Sequence, residues 1–197
     1  YVSRRLFGPK YWTNEKFTNW DMLFSNYSSF FRSLESVSLT GTLPEGMMVL
    51  VNLNRLVIVN STSLTGTVPA SIGNLVNLTY LHFENLGIME NFPLEVRTLP
   101  LTHLIVRYCP KLNGIAPWQD ETTRHLIEMI DWTGSSIRGS IPSSIGVFTR
   151  LQFLSLRRTR ASGFIEFMLW RLKTIRYIDL SFTQLTGQIA LLYPELL

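Results

Sequence analysis

The chain is 197 residues long, 46% hydrophobic and 16% charged, with a formal net charge of +4. That balance excludes a disordered polyelectrolyte and leaves enough apolar material for a real interior. No apolar run reaches the eighteen or so residues that a bilayer crossing needs, the first residues lack the layout of a secretory leader, and Cys109 stands alone, so neither membrane insertion nor an internal disulfide is expected.

Taken in chain order, residues 1–33 come first. Gly8-Pro9 predicts a turn, and Trp20, Leu23, Phe24, Tyr27 and Phe31 then fall at helical spacing. This segment is expected to be an N-terminal cap or a degenerate repeat, covering the apolar edge of the first coil. From residue 34 the chain repeats itself with a period in the low to mid twenties. A shortened unit covers 34–52, full units cover 53–77, 78–100, 101–126, 127–150 and 151–174, and an incomplete one covers 175–197. The near copies "LTGTVPASIGNLVNL" at 64–78 and "IRGSIPSSIGVFTRL" at 137–151 make the period plain.

Each unit opens with apolar residues at its first, fourth and sixth positions, as in Leu78, Leu81, Phe83 and Ile175, Ile178, Leu180. The alternation at positions four to six predicts a short strand with one buried face. Gly66, Gly114, Gly139, Gly163 and Gly187 recur a few residues later, where a turn can demand positive φ. A proline follows in most units (Pro44, Pro69, Pro93, Pro117, Pro142); it lacks an N–H and ends the local pairing. The three-residue steps after it, Ile72, Leu75 and Leu78, suit a 3-10 or helical turn with one face inward. A single unit buries too little apolar surface to offset the entropy of ordering it, so the units must stack into a solenoid.

The phrase "LTGxIPxxIGxLxxL", kept nearly intact in those two stretches, resembles the plant-type subclass of the leucine-rich repeat superfamily, over residues 34 to 197. The resemblance implies an α/β fold: a right-handed solenoid with a parallel sheet on the concave face and short 3-10 or helical turns on the convex face. It also implies that the concave sheet is the ligand surface. Where the family places an inward Asn, strict offset here gives Thr62, Leu86, Ser135, Thr159 and Thr183, with Ser61 or Cys109 competing in two units. The paired cysteines that often cap plant extracellular members are absent from this sequence.

No HExxH, GxSxG, Walker-type or CxxC motif is present. His82, His103 and His125 lie in different units, and Asp131 and Asp179 share a strand column with Ser155 between them. Neither arrangement suits a metal site or a carboxylate pair, so no enzyme activity and no cofactor is expected. The outward strand positions form three columns: Arg55, Tyr80, His103, Met129, Phe153, Tyr177; Val57, His82, Ile105, Asp131, Ser155, Asp179; and Val59, Glu84, Arg107, Thr133, Arg157, Ser181. Aromatics in line with arginine at the margins match the composition of protein-contact surfaces. Positive charge clusters only at 157–160 (Arg157, Arg158, Arg160) and at Arg171, Lys173 and Arg176; without a continuous basic stripe, nucleic acid is not expected as a partner. Sequons at Asn26, Asn60 and Asn77 predict glycans and hence the secretory pathway, outside the cell or at its surface. The chain thus reads as a non-enzymatic recognition or scaffold domain for a protein or peptide. The alternatives are a structural subunit inside a larger assembly and, by family analogy, an inhibitor of a secreted glycosidase.

Overall fold

The computed structural model describes residues 33–187 apart from 38, 44, 117, 119–124, 166–168 and 170–171. The expected cap therefore lies outside the described residues, Ser33 excepted, as do Pro44, Pro117, Arg171 and the Asn26 sequon.

Seven strands, Ser33–Val37, Arg55–Val59, Tyr80–Glu84, His103–Arg107, Met129–Asp131, Phe153–Ser155 and Tyr177–Asp179, form one sheet in sequence order. All neighbours are parallel. Equal repeat positions pair, so Leu56, Leu81, Leu104, Ile130 and Leu154 make one inward column, at 0–1% exposure. The sixth positions, Ile58, Phe83, Val106, Trp132 and Leu156, are buried beside it. One apolar interior runs through the stack. Parallel strands need crossovers, and each crossover here is the rest of one repeat.

On the return path, 3-10 turns cover Glu45–Val49, Ala70–Asn74, Leu94–Thr98 and Ser143–Val147. Pro69, Pro93 and Pro142 cap three of them in extended conformation with φ near −69°, −68° and −70°. Proline fits there because the first turn of a helix needs no N–H from it. Ile72, Val96 and Ile145 turn inward from these segments.

The glycines of the Thr-Gly corner behave as the spacing predicts: Gly66, Gly114, Gly139, Gly163 and Gly187 all have φ between +76° and +119°. The corner holds more order than the sequence suggests. Just ahead of or across these glycines, short segments pair in parallel with their neighbours: Gly41–Thr42 with Leu64–Thr65, Glu90–Asn91 with Leu112–Asn113, and Arg138–Gly139 with Arg160–Phe164, which pairs in turn with Gln184–Thr186. Extended segments of two to five residues carry no visible periodicity, yet stacking places their backbone groups opposite one another and they bond.

The inward polar position is also resolved. Ser61, not Thr62, takes it: its hydroxyl accepts from the Leu39 N–H at 2.9 Å and donates to the Val59 carbonyl at 3.0 Å, whereas Thr62 is exposed. Ser135 Oγ donates to the Val106 carbonyl at 2.7 Å and accepts from the Cys109 N–H at 3.4 Å. Thr159 and Thr183 bond within their own turns, to the carbonyls of Leu156 and Leu180. Hydroxyls thus replace an amide side chain by serving whichever backbone group lies within their shorter reach. Cys109 is buried and takes the inward position in its unit as Ser61 does, its thiol donating to the Arg107 carbonyl at 3.3 Å, and burial pushes that thiol up to about 11.

Candidate ligand-binding face

The first two outward columns are aligned as the repeat predicts, and the third is paired over Val59, Glu84 and Arg107, beyond which Thr133, Arg157 and Ser181 lie past the ends of the shorter strands. Register pairs Arg55 with Tyr80, Tyr80 with His103, His103 with Met129, Met129 with Phe153, and Phe153 with Tyr177. The middle column runs Val57, His82, Ile105, Asp131, Ser155, Asp179 in the same way. His82 therefore faces Ile105 rather than His103.

The columns differ in exposure, which period-two alternation does not foresee. The first is half-exposed throughout, with Tyr177 the most open, but in the middle one Val57, Ile105, Asp131 and Ser155 are buried at 8%, 4%, 2% and 2%. Two of these are bonded from the third column, Asp131 by Arg107 and Ser155 by Thr133.

The first column is organised by ring stacking. The Arg55 guanidinium sits 3.7 Å from the centroid of the Tyr80 ring, and Tyr80 stacks on His103 with centroids 5.1 Å apart. Farther along, Phe153 and Tyr177 stack at 4.4 Å and 9°. Met129, in register between His103 and Phe153, separates the two groups. Such pairs add to sheet stability and also present flat, rigid, amphipathic area. The Thr102 hydroxyl lies 2.9 Å from His103 Nδ1. Burial, with help from the Arg55 charge, lowers the His103 pKa from its ordinary value despite the opposing pull of Glu128.

Beside it runs a polar chain. His82 Nε2 lies 2.8 Å from Glu84, Arg107 reaches within 4.0 Å of the same carboxylate, and Arg107 Nη2 and Nε bond Asp131 at 2.6 and 2.7 Å. Asp131 also accepts from the Thr133 N–H and hydroxyl at 3.0 and 2.7 Å, and the Thr133 and Ser155 hydroxyls meet at 2.8 Å. Two coils on, Asp179 repeats the arrangement with the Ser181 N–H and hydroxyl at 2.9 and 2.6 Å, and Arg157 bridges Asp179 and Ser181 at 3.4 and 2.9 Å. These aspartates bond the backbone two residues on and so hold the strand ends, while orienting the arginines. Burial alone would weaken the Arg107 charge, but the Asp131 hydrogen bond and charge outweigh it and raise its pKa. Asp179 is lowered: partial burial works against the Ser181 hydrogen bonds and the Arg157 charge, which prevail.

A fourth row escaped the sequence reading. Just past the last six strands, Asn60, Asn85, Tyr108, Gly134, Arg158 and Phe182 all adopt positive φ. The first five donate their N–H to the carbonyl at the end of the next coil's strand region: Glu84, Arg107, Thr133, Arg157 and Ser181. Asn60, Asn85 and Gly134 suit the left-handed turn, and the ladder helps hold it in Tyr108 and Arg158, which otherwise avoid it. Tyr108 and Phe182 project into solvent at 50% and 67% exposure. The signal available in the sequence was their common eighth position in the repeat, which their varied chemistry masks.

The conspicuous "RRTR" cluster is largely engaged within the chain. Arg157 bonds Asp179 and Ser181, and the Arg157 and Arg158 guanidinium groups lie 4.9 and 5.4 Å from the Phe182 ring. Of the sequon asparagines described, Asn60 and Asn77 are both exposed. Asn60 Oδ1 accepts from Asn85, and Asn77 Nδ2 donates to the Val51 carbonyl at 2.7 Å. Among the described residues no three His, Cys, Asp or Glu side chains gather as metal ligands, and no helix is long and apolar enough to cross a membrane.

No family model and no curated protein matches the sequence. Solved structures do. The chain is similar to the LRR ectodomain of the plant membrane receptor kinase GASSHO1/SCHENGEN3 from Arabidopsis thaliana, solved with CASPARIAN STRIP INTEGRITY FACTOR 2, with 30% identity over 80% of this chain and 19% of that one, at a TM-score of 0.65. It is similar in fold to Pollen Receptor Kinase 3, with 20% identity over 82% of this chain and 78% of that one, at 0.67. The Arabidopsis receptor kinase HAESA LRR ectodomain, solved with an N-terminally extended IDA peptide hormone, matches in fold at 22% identity over 82% of this chain and 26% of that one, also at 0.67. The chain thus spans about a fifth of the first receptor chain and about a quarter of the third.

Proposed function

We propose that this chain, a leucine-rich repeat solenoid of the plant type, is a non-enzymatic recognition domain that binds a protein or peptide on its concave strand face. The observation that carries the reading is the first column. Arg55, Tyr80 and His103 form one stack and Phe153 and Tyr177 another, half-exposed and held in strict register on a rigid sheet. Rigid aromatic area with arginine beside it loses little entropy on binding and is enriched at binding hot spots. Arg107, positioned by Asp131, and Arg157, positioned by Asp179, supply oriented charge next to it. Peptide or protein factors accompany the GASSHO1/SCHENGEN3 and HAESA ectodomains, which agrees with this reading. The same likeness, with exposed Asn60 and Asn77 in sequons, favours a place outside the cell or at its surface.

The test is partner capture with the face altered. Tyr80→Ser/Tyr177→Ser leaves the inward columns untouched, and a partner captured from extracellular fractions by the native chain should be lost by this variant. Retention by the face variant combined with loss on a convex-side change such as Val76→Glu would overturn the assignment of the face.

A further inference from the structure

Where the last three coils enter the concave sheet, an open groove of about 510 Å³ is lined by Glu128, Arg150, Gln152, Lys173, Thr174 and Arg176, among others. Arg150 and Lys173 belong to the turns that precede strands Phe153–Ser155 and Tyr177–Asp179. Glu128, Gln152 and Arg176 each stand one residue before a member of the first column: Met129, Phe153 and Tyr177. The backbone is tied across all three coils. The Gln152 and Phe153 N–H groups both donate to the Glu128 carbonyl, at 2.8 and 3.1 Å, and those of Arg176 and Tyr177 do the same to Gln152, at 2.8 and 3.1 Å. The Thr174 hydroxyl donates to the Leu151 carbonyl at 2.8 Å.

The charge of this groove is unbalanced. Three cations share it with one carboxylate, and Arg150, Lys173 and Arg176 are exposed with no carboxylate within 4 Å among the described residues. Elsewhere on the face Arg107 and Arg157 each have an aspartate. Cations gathered in a concavity in excess of the carboxylate there attract an anion, and guanidinium groups suit a carboxylate by paired hydrogen bonds. Two lining residues, Gln152 and Arg176, directly precede the stacked Phe153 and Tyr177 in the chain, which places the groove next to that stack in sequence.

We infer that this groove is an anion-binding subsite that receives an acidic side chain, aspartate or glutamate, of the peptide or protein lying on the concave face. The inference rests on the recognition role proposed for that face and specifies the chemistry of one end of its ligand: an acidic residue flanking an apolar or aromatic one.

Fluorescein-labelled hexaglutamate tests it on the intact chain at low salt by polarisation, with hexaglutamine and a heparin hexasaccharide in parallel. Hexaglutamate should bind and hexaglutamine should not. Lys173→Glu/Arg176→Glu should weaken hexaglutamate on the order of tenfold. Lys111→Glu/Arg138→Glu, the same charge change on exposed residues outside the groove, should leave it within about twofold. Any of four results overturns the inference: no hexaglutamate binding, equal loss in both charge variants, no loss in the groove variant, or heparin binding through the groove in preference to hexaglutamate. Partner loss in Tyr80→Ser/Tyr177→Ser is read separately, so the groove can fail while the face stands.

Discussion

Arg107 and Asp131, 24 residues apart in sequence, meet at 2.6 Å across the boundary between two coils, and the aspartate is 2% exposed. A buried carboxylate is tolerable only while its partners remain. Arg107→Ala should therefore destabilise the chain by about 2–3 kcal/mol, less than the 3–5 kcal/mol of a fully buried pair because the arginine is partly in water. Asp131→Asn made in that background should recover part of the loss. Equilibrium urea unfolding of the cycle measures this, and additive effects of the two changes would show that the pair is not coupled.

His103 makes stability depend on pH. Its folded-state pKa is lowered from 6.5 by burial and by Arg55, so the unfolded chain binds the proton more readily. The stabilisation is present in full above pH 6.5 and is lost as pH falls through the lower folded value. Asp179, lowered from 3.8, acts with the same sign in a second, more acidic window. The melting temperature should fall from pH 7 to about 5.5 in the native chain and fall less in His103→Gln, while Asp179→Asn should flatten only the step below about pH 4. Parallel curves for the native chain and His103→Gln would exclude this assignment.

Gly87 is required by packing rather than by its own backbone angle. A Cβ there would clash with the Thr62 carbonyl oxygen and lie 2.9 Å from that of Leu64, whereas at Gly41, with φ of +86°, nothing lies within 4 Å. Gly41→Ala should cost about 1–2 kcal/mol through its left-handed conformation. Gly87→Ala should cost about 3 kcal/mol, because two backbone segments must separate. Denaturation midpoints rank the two, and a larger loss at Gly41 would contradict the close approach.

Glycans supply a fourth check. Expressed through a secretory pathway, the chain should carry them on Asn60 and Asn77 without loss of fold, since both side chains are exposed. Peptide mapping before and after glycosidase treatment reads the occupancy. Two unmodified asparagines would remove the chief support in the chain itself for an extracellular role.

Much of the face was legible because the repeat turns one-dimensional information into rows. Once Leu81 and Leu104 share a repeat position, parallel pairing forces Tyr80 beside His103 and Phe153 beside Tyr177. The left-handed corners were legible for the same reason: Gly66, Gly114, Gly139, Gly163 and Gly187 recur at one place, and glycine suits that conformation best. The choice of Ser61 over Thr62 was not, since an extra residue in the unit shifts the offset and only the position of Leu39 decides which hydroxyl is used.

By itself the sequence determined the stacking of the coils, the inward leucine columns and the order of residues along the concave rows, because repeat spacing and strand alternation are local properties that translation copies from coil to coil. The tertiary structure alone decided that the middle row is covered, that Arg157 faces Asp179, that the corners pair into further short sheets, and that Arg150, Lys173 and Arg176 converge on one groove. Those outcomes depend on distances between side chains of different coils, and such distances exist only once the coils are laid against each other.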